Sequence, residues 1–336
     1  MARRSFNKKF INNYKEETVM IQKSEIITDG KTLSKIALGT HTFHIETEKT
    51  NFEILDMYVA GGGNIIDTAR CYGEDVTHPN RPESEMCIGH WLQSTGMRDK
   101  IILITKGGNP EYENGEHVRN RVTADDIEAD ITKSLEALKT DYIDIYFFHK
   151  DDPTIDPGVL IEILNKYVKS GMVKHIGASN WTAERIKEAN KYAKNHGLAK
   201  FEFSEIAFSL KDRVTKGWGE KELIHEMNLE DYKYYSESGI PVIGFGAQAY
   251  GFFYGDSVPT DSSEKNKEIF NRLKNICNVK HINAHQALFG FYFGCDLKSI
   301  PLISARNVSR LKEVIDNCNT ILDKQDIEYL LKERFH

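Results

Sequence analysis

The sequence predicts an α/β fold, a (β/α)8 TIM barrel with an N-terminal β-hairpin plug, and three observations carry that prediction. Short apolar runs alternate with amphipathic stretches from residue 36 to the end, the pattern of parallel strands joined by crossover helices. The apolar runs number about eight, the strand count that closes such a barrel. The length of 336 residues exceeds an ordinary domain, yet α/β barrels reach it around a single core.

The expected strands are Ile36–Gly39, Asn64–Asp67, Ile101–Lys106, Tyr142–His149, Val173–Ser179, Phe201–Ala207, Pro241–Gly246 and Ser299–Ser304. Ahead of them, Met20–Ile27 and Lys31–Leu33 flank Thr28-Asp29-Gly30. An Asp-Gly pair between short extended runs signals a hairpin, here one that plugs a barrel end. Thr123-Ala-Asp-Asp126 opens a helix with a Thr cap, and Ile127, Ile131, Leu135 and Leu138 form its apolar stripe. Further helices begin at Thr182, after the fifth strand, and at Asn307, after the eighth. Segments 108–120 and 211–232 are polar and less periodic, as loops or short helices on a barrel face are. Residues 20–336 are read as one barrel domain, preceded by a basic tail over residues 1–19.

Hydrophobic residues make up 40% of the chain, charged residues 28%, and the net charge is −6. That composition fits a globular core and gives no general attraction to nucleic acid or to an anionic membrane. Cys71, Cys87, Cys277, Cys295 and Cys318 are scattered and odd in number, so neither a disulfide framework nor a zinc knuckle is expected. The tail carries Arg3, Arg4, Lys8, Lys9 and Lys15 without an apolar leader segment, and no run approaches a membrane span. A cytoplasmic location is the expectation.

Catalytic groups in such a barrel belong at the C-terminal ends of its strands, where the loops converge on one open face. The second predicted strand ends at Asp67, with Tyr72 five residues on; the third ends at Lys106 and the fourth at His149. Reducing a carbonyl needs a proton donor at the oxygen, and a free tyrosine, with a pKa near ~10, is a poor one. An ammonium beside the phenol lowers that pKa, and a carboxylate behind the ammonium keeps it charged. Tyr72, Lys106 and Asp67 are those three groups, and His149 is placed to hydrogen-bond the substrate oxygen.

Ile66-Asp67-Thr-Ala-Arg-Cys-Tyr72-Gly, the strand-ending Lys106 and His149, and Ile176-Gly-Ala-Ser-Asn180, in this order, resemble the aldo-keto reductase superfamily over residues 20–330. The stretch from His149-Lys-Asp-Asp-Pro to Trp181 resembles its bacterial sugar- and aldehyde-reductase branches. The resemblance implies that Asp67, Tyr72, Lys106 and His149 form the catalytic tetrad, with Tyr72 as general acid/base. It also implies an NADP(H)-dependent oxidoreductase acting on a small aldehyde, ketone or alcohol.

A cofactor site of another kind is absent from the sequence, since no G-x-G-x-x-G opens a first helix. Ser179 and Asn180 end the fifth strand with side chains suited to a carboxamide; a helix cap before Thr182 is the alternative use. The resemblance assigns that pair to nicotinamide. It also sets Glu205 where the family has Gln, which exchanges an amide for a carboxylate, and Phe208 where an aromatic ring stacks on nicotinamide. Gly246-Ala-Gln248-Ala-Tyr250-Gly251 is a small-residue loop whose N–H groups suit a pyrophosphate, with Gly246 where the family more often has Ser. Ser304-Ala-Arg306-Asn-Val-Ser-Arg310 leads into a helix N-terminus, an anion site where two arginines suit a 2′-phosphate and so favour NADP over NAD; solvated helix-face charges are the alternative. Phe43, His44, Trp181 and Tyr250 are expected as pocket walls, which points to an apolar or ring-bearing substrate.

Two other functions compete. His41, His44, Asp67, His149 and Glu205 could gather as metal ligands in a barrel isomerase or hydrolase. A non-catalytic, NADP(H)-sensing subunit on the same fold is the second, as in the ion-channel β-subunits that resemble aldo-keto reductases.

Overall fold

The computed structural model describes residues 19–73, 81–113, 116–215 and 223–335. The basic tail as far as residue 18, and residues 216–222 of the segment expected as a loop, lie outside them. Strands β1 (Lys23–Thr28) and β2 (Lys31–Ser34) pair antiparallel. Between them Asp29 and Gly30 take φ of 47° and 72°, the left-handed pair that a two-residue hairpin turn requires and that Asp-Gly tolerates.

Eight strands then close a parallel barrel: β3 (Ala37–Gly39), β4 (Ile65–Asp67), β5 (Ile102–Gly107), β8 (Ile143–Phe148), β9 (Val173–Ser179), β10 (Phe201–Ala207), β11 (Val242–Phe245) and β12 (Ser299–Ile303). Each matches its predicted run to within two residues at either end. Segment 108–120 departs from the expectation. It holds a second hairpin, β6 (Glu111–Glu113) with β7 (Glu116–Arg119), where too little alternation marked a strand. In 211–232 the regular part is the start of helix Leu229–Ser238, opened by an Asn228–Asp231 capping box.

Helix Ala124–Leu138 forms as its sequence dictates. Thr123 Oγ1 accepts from the Asp126 N–H at 3.3 Å, and Ile127, Ile131 and Leu138 are buried. Such a cap contributes about 1 kcal/mol. Helices like this one bury their apolar stripes against the outer barrel wall.

Inside the barrel, alternation sets the layers. Ile65, Ile104, Ile145, Phe147, Phe203, Ile243 and Ile300 form one apolar cluster, and Ile26 and Leu33 of the hairpin join it. The hairpin therefore closes the N-terminal end of the barrel. Polar clamps hold it there: Lys31 reaches Asp144 at 3.5 Å, and His175 lies 3.4 Å from Asp29 and 3.1 Å from Glu202. Two residues further along each strand, the inward positions lie above this apolar plug at the C-terminal mouth.

Candidate active site

The period-2 step from that plug generates the site. Ile65 leads to Asp67, Ile104 to Lys106, Phe147 to His149, Gly177 to Ser179, Phe203 to Glu205 and Ile243 to Phe245. Strand register then sets neighbours, with Ser179 beside Glu205 and Ala207 beside Phe245. Tyr72 reaches the same mouth from the turn after β4. Gly73 follows it at φ 86°, where a Cβ would stand 2.8 Å from that of Glu83, so the tight Tyr-Gly turn needs glycine.

Lys106 is fully buried, and its ammonium donates to both carboxylate oxygens of Asp67 at 2.7 Å and to the Thr68 carbonyl at 2.9 Å. Glu205 Oε1 lies 3.3 Å from the same nitrogen. The ammonium sits 5.1 Å from the centre of the Tyr72 ring, and the His149 ring stands edge-on to that ring at 5.7 Å. The Cys71 thiol lies 3.5 Å from His149 Nδ1. The four residues expected to act together are thus adjacent.

Burial and charge act on Tyr72 in opposing directions. Burial pushes the Tyr72 phenol above its ordinary range; Lys106 pulls it down, as its ammonium must, but Asp67 and Glu205 push it up. The ammonium still favours the phenolate, and burial is the larger opposing influence. Burial alone would lower the Lys106 pKa, yet Asp67, Glu205 and Tyr72 together raise it, and the ammonium stays charged. Glu205 is raised well above the carboxylate range, first by burial and then by Asp67, with which it is in hydrogen-bond reach. His149 is held neutral by burial, then by Lys150 and Lys106.

Tyr72, Glu205 and His149 face a cavity of about 730 Å³, within the size range of small-molecule sites. Asp67, Tyr72, His149, Ser179, Asn180, Glu205, Gly246, Tyr250 and Ser304 are among the residues that line it. Asn180, at φ 60°, donates from Nδ2 to the His149 carbonyl at 3.0 Å and to Ser179 Oγ at 3.1 Å.

Several expected residues are not among those that line the cavity. Trp181 is fully buried, stacked on Phe148 at 6.1 Å and edge-on to Phe201 at 5.2 Å, and is not among the residues lining this cavity. Phe43 is a core residue, and His44 lies 3.2 Å from Glu83. Phe208 is buried among Phe291 and Tyr292, at 5.6 and 5.1 Å, and presents no face to the cavity. The ring that does line the cavity there is Phe245. Inward alternation from Ile243 was the signal for it. His41, Asn109, Tyr112, Lys150 and Ile224 also line the cavity; Lys150 and His41 adjoin strand ends, whereas Tyr112 sits on the hairpin that the sequence did not declare.

In the loop after β11, Gly246 and Gly251 take φ of 71° and 84°, and Ala249 and Tyr250 are left-handed as well. Gln248 donates to the Tyr254 hydroxyl at 2.8 Å. Beyond β12, Asn307 caps helix Val308–Asn317, Arg310 is tied to Glu313 at 2.8 Å, and Arg306 is exposed with no ion pair among the described residues. Arg306 is close enough to His41, a cavity residue, to act on its charge.

A parallel barrel with a buried lysine–carboxylate cluster, a tyrosine and a histidine at its C-terminal mouth defines a class of site built for acid–base chemistry beside a bound small molecule. The aldo/keto reductase family model matches residues 35–332, and the chain belongs to that family. Norsolorinic acid reductase B of Aspergillus parasiticus is 34% identical over 186 residues, covering 50% of this chain and 46% of that protein. The match thus spans about half the length of that relative. An aryl-alcohol dehydrogenase of Pestalotiopsis microspora is 24% identical over 301 residues, 85% of this chain and 73% of its own. The holo form of an aldo-keto reductase from Bacillus halodurans superposes with a TM-score of 0.71 at 21% identity, covering 94% and 96% of the two chains; that likeness concerns the fold.

Proposed function

We propose that the protein is an NADP(H)-dependent oxidoreductase that interconverts a carbonyl and an alcohol, with Tyr72 as general acid/base. Family membership supports the oxidoreductase class, and the observation that carries the rest is the Asp67–Lys106–Tyr72–His149 cluster, three of whose members, Asp67, Tyr72 and His149, line the cavity.

The donor set fits a nicotinamide: Ser179 and Asn180 present hydroxyl and amide groups for a carboxamide, and Phe245, in place of Phe208, offers a ring face. Gly246, Gln248 and Gly251 belong to the loop for the pyrophosphate, and Ser304, Arg306 and Arg310 to the phosphate end. When bound, the cofactor supplies or accepts the hydride. Tyr72, protonated at neutral pH, donates its proton to the substrate oxygen. Neutral His149 hydrogen-bonds that oxygen and disperses its developing charge. Lys106, fixed by Asp67, keeps a positive charge near the phenolate left behind, which is where its electrostatic help falls.

The metal-dependent alternative loses support because the Lys106 ammonium occupies the space between Asp67 and Glu205 where a cation would sit. Tyr250 and Tyr112 at the cavity, together with relatives named for aryl alcohols and norsolorinic acid, favour an aromatic or other ring-bearing substrate. A panel of aldehydes, ketones and alcohols assayed with NADP(H) and NAD(H) tests the proposal. Turnover followed by nicotinamide absorbance is expected; cofactor binding without turnover of any compound would favour a sensing subunit.

A further inference from the structure

Asp67, Lys106 and Glu205 are buried together, with Asp67 and Glu205 lining the cavity, and they are out of balance: one ammonium faces two carboxyl groups. The Asp67 carboxylate and the Lys106 ammonium cancel. In a site of low polarity the second carboxyl then keeps its proton unless another positive charge arrives. Glu205 lines the cavity in register with Ser179, on the arc that also carries Asn180 and Phe245. On the reading of that arc as the nicotinamide site, the arriving ring brings a positive charge when oxidised and none when reduced.

We propose that Glu205 couples the redox state of the nicotinamide to a proton. The oxidised cofactor binds with loss to solvent of the proton held by the Glu205 carboxyl, and the reduced cofactor leaves that proton in place. A glutamine at this position carries no such proton. Consequently the protein discriminates between the two cofactor forms in a pH-dependent manner, holding the oxidised form more tightly as pH rises.

The other groups facing the pair do not change charge with it. His149 and His41 are held neutral chiefly by burial, with Lys150 and Lys106 adding to the effect at His149, and Tyr72 retains its proton. From β9 the neighbours are Ser179 and Asn180, from β11 Ile243 and Phe245, all uncharged. Lys106 is fixed as an ammonium by its carboxylate partners.

The test is calorimetric titration of the full chain with NADP+ and with NADPH in buffers of different ionisation heat, for the wild type and Glu205→Gln. The 2′-phosphate is common to both cofactor forms, so its protons cancel in the comparison. For the wild type, NADP+ should release up to about one more proton than NADPH, and the NADP+/NADPH affinity ratio should rise up to about tenfold per pH unit across the release. In Glu205→Gln the difference should vanish. Equal proton counts for the two forms in the wild type would overturn the inference without any variant, as would a difference that survives in Glu205→Gln. Failure of both forms to bind would instead overturn the nicotinamide reading beneath it.

Discussion

Lys106 donates to both carboxylate oxygens of Asp67 at 2.7 Å, and neither side chain is more than 1% exposed. Ions so placed are costly to bury and depend on each other, because removing one leaves the other without compensation. The pair is therefore a structural element as well as the electrostatic base of the site.

Lys106→Met should cost about 3–5 kcal/mol of stability unless the orphaned carboxyls take up protons. Urea unfolding at neutral and at acidic pH checks this. The deficit should shrink at low pH, where Asp67 and Glu205 can both be neutral; a uniform loss below ~1 kcal/mol would contradict the burial argument.

The hairpin clamp should be pH-dependent. Glu202 above all, with Asp29, raises the His175 pKa against the opposing effect of burial. The folded value lies above the unfolded one, so the stabilisation is complete below the unfolded pKa of ~6.5 and is lost as pH rises through the folded value. The difference in melting temperature between wild type and His175→Gln should accordingly be largest at pH ~5.5 and fade toward pH ~9. A difference that grows with pH would refute the assignment.

Two aromatic residues expected to wall the pocket should behave oppositely. Trp181→Ala should cost about 3–5 kcal/mol of stability, as deletion of a fully packed ring does. Tyr250, 59% exposed at the cavity, should alter KM for ring-bearing substrates on replacement by Ala, with stability changed by less than ~1 kcal/mol. Unfolding curves and steady-state kinetics on both variants distinguish the two roles.

Arg306→Ala should weaken NADPH by roughly 10–100-fold and NADH far less, the effect of losing a charge-assisted contact to a 2′-phosphate. Arg310→Ala should do less, since Glu313 already engages that guanidinium. Equal losses for both cofactors would remove the case for phosphate recognition.

The barrel was legible because its strands are apolar runs with glycine or polar ends, and the strand-end rule located Asp67, Lys106, His149 and Ser179 at one mouth. Tyr72 came with the turn after Asp67. Phe245, two residues beyond Ile243, lines the cavity by the same alternation, whereas Phe208, which the resemblance assigns to nicotinamide, turns outward and packs on helix Ala284–Gly294. Trp181 and Phe43 look alike in sequence to pocket residues, since aromaticity does not say which side of the strand a loop leaves from. The turn that carries Tyr72 does not disclose the burial that raises its phenol, nor Glu205, far along the chain, which the fold brings against the Lys106 nitrogen.

Tyr72→Phe tests the central claim most directly, because it removes one hydroxyl from the mouth of the barrel. Turnover of a carbonyl substrate that the wild type reduces should fall by about 10²–10⁴-fold, while NADPH affinity, read by fluorescence, stays within a few fold. Unchanged kcat in the Phe variant would contradict the assignment of Tyr72 as the proton donor.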